Sequence, residues 1–280
     1  MSWPIVKIGD VATILPGFAF KSKHLGDDGV PVVKIGNISD DGSVDIENIQ
    51  YLPDNLQEQR YKKYALRSKD VIIAMTGATA GKVGRLKIAS DSYCLLNQRV
   101  AKFIPEKINP DFLWHIVGSP SYRNKFYALG GGAAQPNMSG PQIASVEIPL
   151  PSRLQQDRIA SILSAYDDLI ENNRRRIALL EDAARLLYRE WFVHFRFPGH
   201  EHTKIIDGVP EGWEKTSLID LVDWIKETVK PAHFTDEDVH IGLEHIPRRS
   251  FTLADWETTE GLASQKFRFK KGDVIFGKIR

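Results

Sequence analysis

A chain of 280 residues with a net charge of +1, 42% hydrophobic and 26% charged residues has the make-up of an ordinary globular protein. No apolar run approaches the ~20 residues of a membrane span, and the N-terminus lacks a basic-then-apolar signal. The single cysteine, Cys94, excludes an intrachain disulfide or a thiolate metal cluster, fits a reducing cytoplasm, and reads as a small buried residue.

In chain order, the first 150 residues are punctuated by glycine and proline, with β-rich runs at 30–35, 70–75, 95–104 and 146–150. Two stretches read as helices. One spans 109–117, with Asn109 as N-cap and Pro110 at the first position; the other spans 121–129 and is ended by Gly130. The expectation is an α+β domain dominated by sheet.

Charge is segregated along this region. Residues 35–59 hold six acids and no Lys or Arg, whereas residues 60–87 hold eight bases and one acid, Asp70. Such segregation can build a basic patch that attracts phosphates. Lys62, Lys63, Arg67, Lys82 and Arg85 are the expected phosphate contacts. The plainer reading is a solvated, Lys-rich surface of strands and turns.

Within the basic stretch, Thr76-Gly-Ala-Thr-Ala-Gly81-Lys82-Val83 is not a P-loop: one residue is missing between the glycines, and Val83 replaces the hydroxyl that would hold magnesium. A turn is expected instead, showing Thr76, Thr79 and Lys82 to a phosphate or base edge, with amides able to hold an anion. Downstream, Asn97 and Gln98 can pair with adenine and Arg99 with guanine, unless they are only solvated groups on an edge strand. Gln135, at the end of the glycine loop after Leu129, is a further base-reading candidate that could equally sit in a plain connection.

No Ser/His/Asp or Cys/His set and no nuclease carboxylate cluster stands out. His115, His194, His200 and His202 are not at ligand spacing with acids. No catalytic residue, bound metal or cofactor is expected on this chain.

The character changes at Pro149-Leu-Pro151. Residues 153–194 contain neither Pro nor Gly. Ile159, Leu163, Tyr166, Ile170, Asn173, Ile177, Leu180, Ala184, Leu187 and Trp191 fall at alternating 4 and 3 spacing, which is a coiled-coil seam. At 1.5 Å per residue this predicts a rod of roughly 60 Å that wants a second long helix. Asn173 is the polar seam position that would fix register.

Beyond it, Trp213 to Ile225 echoes Trp3 to Leu15, and Phe269 to Ile275 echoes Leu66 to Ile72. A period near 200 indicates a duplicated domain rather than a solenoid unit. The second copy is expected to stop about a third of the way through.

Several segments carry a family resemblance: Ile148-Pro-Leu-Pro151-Ser-Arg-Leu-Gln-Gln-Asp-Arg-Ile159, Asp167-Asp-Leu-Ile-Glu-Asn172-Asn173, Trp191-Phe192, Gly208-Val-Pro-Glu-Gly-Trp213, and Asp70-Val-Ile with the Gly81-Lys82 turn. Together they resemble the specificity (S) subunit of Type I restriction-modification enzymes. The resemblance implies a target recognition domain over 1–151, a long conserved-region helix over 152–195, a connector over 196–212 and a partial second recognition domain over 213–280. It implies a non-catalytic subunit that reads half of a bipartite double-stranded DNA site and docks methyltransferase (M) subunits. A restriction-translocase (R) subunit would complete the assembly, with S-adenosylmethionine, ATP and magnesium on the partners, in the cytoplasm. A homodimer through the long helix is a further expectation. The rival reading is a protein-only adaptor whose coiled coil recruits partners.

Overall fold

The computed structural model describes residues 3–130, 137–247, 250–253 and 255–277. It divides into two compact units, 1–169 and 170–280. No described helix is long and apolar enough to cross a membrane.

The first unit is α+β and sheet-rich, as expected. Its strands are β1 (Ile5–Lys7), β2 (Ala12–Pro16), β3 (Val30–Val33), β4 (Gln50–Leu52), β5 (Ala65–Leu66), β6 (Val71–Ala74), β7 (Val83–Arg85), β8 (Cys94–Leu96), β9 (Val100–Pro105) and β10 (Glu147–Pro149). One sheet has the order β2-β9-β6-β7, all antiparallel. The other has the order β4-β3-β8-β5, in which β3 and β8 run parallel. β1 and β10 form a separate pair, joining the start of the unit to its end.

Strand β6 is buried on both faces, and its period of two divides its side chains between cores. Val71 and Ile73 join Phe103, Phe112, Leu113 and Phe126 under the helices. Ile72 and Ala74 join Val33, Leu66, Cys94 and Leu96 beneath the second sheet. Each large side chain buried this way contributes about 1.5–3 kcal/mol.

Three short helices cover the first core: α1 (Pro110–Val117), α2 (Pro120–Leu129) and α3 (Gly140–Ala144). Asn109 caps α1 as expected, its side chain accepting the Phe112 N–H at 2.9 Å. α2 ends at Gly130. The expected strand over 95–104 is interrupted: residues 97–99 turn the chain from β8 in one sheet to β9 in the other.

The long helix α4 runs unbroken over Arg153–Tyr188 and continues as one π-helical turn to Val193. Its first turns are anchored in the first unit. Ala160 is buried and Ile159 packs on the same core. Gln156 accepts the Asn109 N–H at 2.9 Å, and Asp157 accepts from the Asn109 side chain at 2.7 Å. The Trp114 indole donates to Asp167 at 3.2 Å. Farther along, Leu163, Tyr166, Ile170, Ile177, Leu180 and Leu187 are exposed, as is Asn173. The seam therefore presents an apolar stripe in the single chain.

In the second unit, Phe192, Phe195 and Phe197 gather on Trp213, with ring centroids 5.3–5.8 Å away. Strands β11 (Ile205–Ile206) and β12 (Val209–Pro210) form a hairpin turned by Asp207 and Gly208, both at positive φ. Three strands follow in sequence: β13 (Thr228–Val229), β14 (Val239–His240) and β15 (Glu257–Thr258). With β16 (Lys266–Phe267) they make two further pairs, β13 with β16 and β14 with β15. Local elements of the first unit recur here in order. The 3-10 turns Ile8–Asp10, Ser22–His24 and Ile35–Asn37 find counterparts at Leu218–Asp220, Pro231–His233 and Leu243–His245.

Candidate nucleic-acid interface

Five backbone segments meet where the strands of the two sheets end. The Gln98 N–H donates to the Phe18 carbonyl at 2.9 Å and the Asn97 N–H to the Val33 carbonyl at 3.1 Å. The Met75 N–H donates to the Arg99 carbonyl at 2.9 Å and the Met138 N–H to the Met75 carbonyl at 2.8 Å. Thr76 and Asn137 are bridged as an isolated strand pair. Gly17 is required for this closure, because a Cβ there would lie 2.2 Å from the Asn97 carbonyl oxygen. Exposed at this junction are Gln98, Arg99 and Asn137, with Thr79 partly exposed.

Phe18 connects the junction to a basic 3-10 helix, Gln59–Tyr64. Its ring centroid lies 4.9 Å from that of Tyr61 and 5.4 Å from that of Tyr64. Lys62 and Lys63 project from this helix and are exposed, the Lys63 ammonium standing 4.8 Å from the Tyr64 centroid. Arg67 is exposed beyond it, placed by a 3.1 Å bond to the Ser92 carbonyl and by the Tyr93 ring. Stacking of this kind orients a cation while leaving its charge on the surface.

The other two expected phosphate contacts, Lys82 and Arg85, already pair with acids of the first unit. Lys82 is 16% exposed and bonds Asp40 at 2.8 Å. Arg123 holds the same carboxylate. These two hydrogen bonds, Lys82 first and Arg123 second, hold the Asp40 carboxyl below the usual carboxylate range. Arg85 is 11% exposed, pairs with Asp111 and lies over Trp114. Arg85 is engaged inside the domain, whereas the Lys82–Asp40 pair lies at its surface, with Asp40 70% exposed.

The base-reading candidates also divide. Asn97 is buried and shapes its turn. The Thr76 hydroxyl is buried as well. Three of the turn's amides bond internally: Ala80, Gly81 and Lys82 donate to Gly77, Ala74 and Thr79 carbonyls at 2.9–3.0 Å. Gln98 and Thr79 remain at the surface, and Gln135 lies outside the described residues. Phe18 was missed by sequence reasoning; the signal available was Pro16-Gly17, where a close backbone approach follows a strand.

The arrangement offers exposed cations beside a junction of amide and guanidinium groups. Cations of this sort suit phosphates, and such polar tips suit base edges.

Comparison with known proteins agrees. Residues 2–182 match the family described as the Type I restriction modification DNA specificity domain. A Type I restriction enzyme specificity subunit from Methanocaldococcus jannaschii is 31% identical over 188 residues, covering 65% of this chain and 44% of that one. The EcoKI specificity subunit of Escherichia coli is 27% identical over 180 residues, covering 62% and 38%. The chain thus spans less than half the length of these two relatives. The crystal structure of a Type I restriction-modification S subunit from M. genitalium shares the fold at 15% identity, with a TM-score of 0.51 over 72% of this chain and 48% of that one. The chain belongs to the Type I restriction modification DNA specificity family.

Proposed function

We propose that this chain is a non-catalytic, cytoplasmic subunit that reads part of a bipartite double-stranded DNA target for a Type I restriction-modification complex. The observation that carries the reading is the exposed run Lys62, Lys63 and Arg67 joined through Phe18 to the Gln98–Arg99 turn, in a chain of this family. The lysines and Arg67 neutralise phosphates. Gln98, Arg99 and Thr79 read base edges in the major groove, each good pair contributing about 1–3 kcal/mol of discrimination. The long helix acts as spacer, and its exposed apolar stripe docks methyltransferase subunits or pairs with the helix of a second copy. The methyltransferase subunits bring S-adenosylmethionine, and a restriction-translocase subunit brings ATP and magnesium chemistry.

The test is a gel-shift titration of the chain assembled with its methyltransferase subunits, over a range of salt concentrations. Replacing Lys62, Lys63 and Arg67 together by Ala should weaken binding at every sequence and reduce the log–log salt slope by roughly 0.9 per charge removed. Gln98→Ala should relax sequence preference and leave the slope unchanged. An unaltered slope in the triple variant would remove this face from the interface.

A further inference from the structure

In the second unit, the donor atoms of Glu244, His245 and Glu257 gather beside one strand pair, with His240 at the edge of the group. β14 and β15 pair antiparallel, with His240 directly across from Glu257. The turn after β14 brings His245 to the same carboxylate. His245 Nε2 stands 3.5 Å from Glu257 Oε1, and His240 Nδ1 stands 4.0 Å from Glu257 Oε2. Both gaps are longer than a good hydrogen bond, about 2.7–3.2 Å. The 3.5 Å gap matches the edge of a metal coordination shell, where two donors each about 2.0–2.2 Å from a tetrahedral ion stand roughly 3.3–3.6 Å apart, and the 4.0 Å gap needs a small inward shift of His240 to reach it. Donor atoms of Glu244, His245 and Glu257 all lie within 4.8 Å of one another. The imidazoles of His240 and His245 are 14% and 11% exposed, and Glu257 is 63% exposed, so an ion has an open approach from the carboxylate side. His240 Nδ1 is buried and has no hydrogen-bond partner among the described residues, and a buried polar atom of that kind calls for a water or an ion.

The first unit shows what the same scaffold looks like without donors. Its turn Ile35–Asn37 and the turn Leu243–His245 are built alike: the Lys34 N–H donates to Asn37 Oδ1, and the Gly242 N–H donates to His245 Nδ1, both at 2.9 Å. Val32 pairs with Gln50 as His240 pairs with Glu257. Val32, Gly36, Asn37 and Gln50 therefore stand where the second unit has His240, Glu244, His245 and Glu257. The turn and strand pair form with neither histidine nor glutamate at these positions, so the four donors are not demanded by the fold.

We propose that His240, His245 and Glu257, with Glu244 as an additional carboxylate, bind a first-row divalent metal ion of the zinc class. Mixed imidazole and carboxylate donors suit zinc, cobalt and nickel; magnesium and calcium prefer all-oxygen shells. Coordination through His245 Nε2 moves the ring proton to Nδ1, which costs the Gly242 hydrogen bond. The ion ties a two-residue hairpin to the turn beside it, which couples metal binding to folding of the second unit.

The experiment is calorimetric titration of the chelator-treated full chain with zinc chloride, alongside visible absorption with cobalt. The expected result is one ion per chain, weakened about tenfold or more in His240→Ala, His245→Ala and Glu257→Gln. A double variant at the connector, His200→Ala with His202→Ala, should bind as the parent does. The parent should also gain thermal stability from zinc, and His240→Ala should not. Absence of saturable zinc binding by the parent chain overturns the proposal, as does binding that survives His240→Ala or vanishes in the connector variant. If the histidine variants fail to fold, the cobalt spectrum of the parent decides: an intense low-symmetry band supports the site, and a spectrum like that of aqueous cobalt overturns it.

Discussion

The side chain of Gln156, in the first turn of the long helix, accepts the backbone N–H of Asn109 at 2.9 Å. Its other arm donates to the Pro151 carbonyl at 2.8 Å, and the residue is 3% exposed. One amide thus joins the start of α1, the end of the β10 segment and the base of α4. An amide is needed because one neighbour is a donor and the other an acceptor. Gln156→Leu preserves much of the volume but leaves the Asn109 N–H and the Pro151 carbonyl without partners. The expected loss is about 2–4 kcal/mol, read from the urea midpoint of the full chain. Gln156→Glu keeps the acceptor arm, loses the donor arm and should destabilise more at neutral pH than in acid, where the carboxyl is protonated. A loss below about 0.5 kcal/mol in both variants would show that the amide is not what holds the joint.

Asp40 makes a second prediction, because it neutralises two cations at once. Asp40→Asn keeps the shape and releases Lys82 and Arg123. Binding of the assembled complex to arbitrary DNA should tighten at low salt, with the salt slope steeper by up to roughly two. The ion pairs also carry a pH signature. The Asp40 carboxyl titrates below its ordinary value when folded, so its contribution is present above that value and is lost as pH falls through the lowered one. Asp40→Asn should lose that acid-side dependence. Arg85→Ala behaves differently: it strands Asp111 beside the core and should cost about 1–3 kcal/mol of stability, with the salt slope of DNA binding unchanged.

Cys94 sits in β8 at 1% exposure, and burial pushes its thiol up to about 11. The thiolate is the reactive species, so the folded chain should resist alkylation at neutral pH. Labelling should follow global unfolding and accelerate steeply across the urea transition. Rapid modification of the folded chain would mean that the second sheet opens locally.

The long helix was readable because its signal is local: no Pro or Gly and a 4-3 apolar spacing over residues 153–194. The α1 cap was readable for the same reason, since Asn109 and Pro110 act within one turn. The phosphate set was only partly readable. Lysines can be counted in a sequence, but their partners cannot. Asp40 lies 42 residues before Lys82, and Asp111 lies 26 after Arg85, and only the folded sheets bring each pair together. The acidic stretch and the basic stretch partly cancel through Asp40. The strand over 95–104 was read as continuous because apolar residues on both sides of Asn97 disguise a turn between two sheets. The His240–His245–Glu257 cluster had no sequence signature, because Glu257 reaches it through strand pairing.

His115 gives the last prediction. It lies on α1, mostly buried at 13% exposure, with Nε2 3.9 Å from the Asp167 carboxylate of the long helix. Burial lowers its pKa below the ordinary value near 6.5; the Asp167 charge opposes that shift, nearby Arg85 adds to it and Asp111 opposes it. The burial effect wins because the ring has lost most of its water and the carboxylate stands too far off for a hydrogen bond. A histidine whose folded pKa is lowered binds fewer protons folded than unfolded. Stability is therefore full above the ordinary value and declines as pH falls below it, until the folded group also titrates. Urea midpoints measured from about pH 8 to pH 5 should fall in the parent and fall less in His115→Gln. Asp167→Asn removes the opposing charge and should steepen the decline. Stability that instead rose on acidification would mean that the imidazolium pairs with Asp167, and that the charge, not the burial, governs this contact between α1 and the long helix.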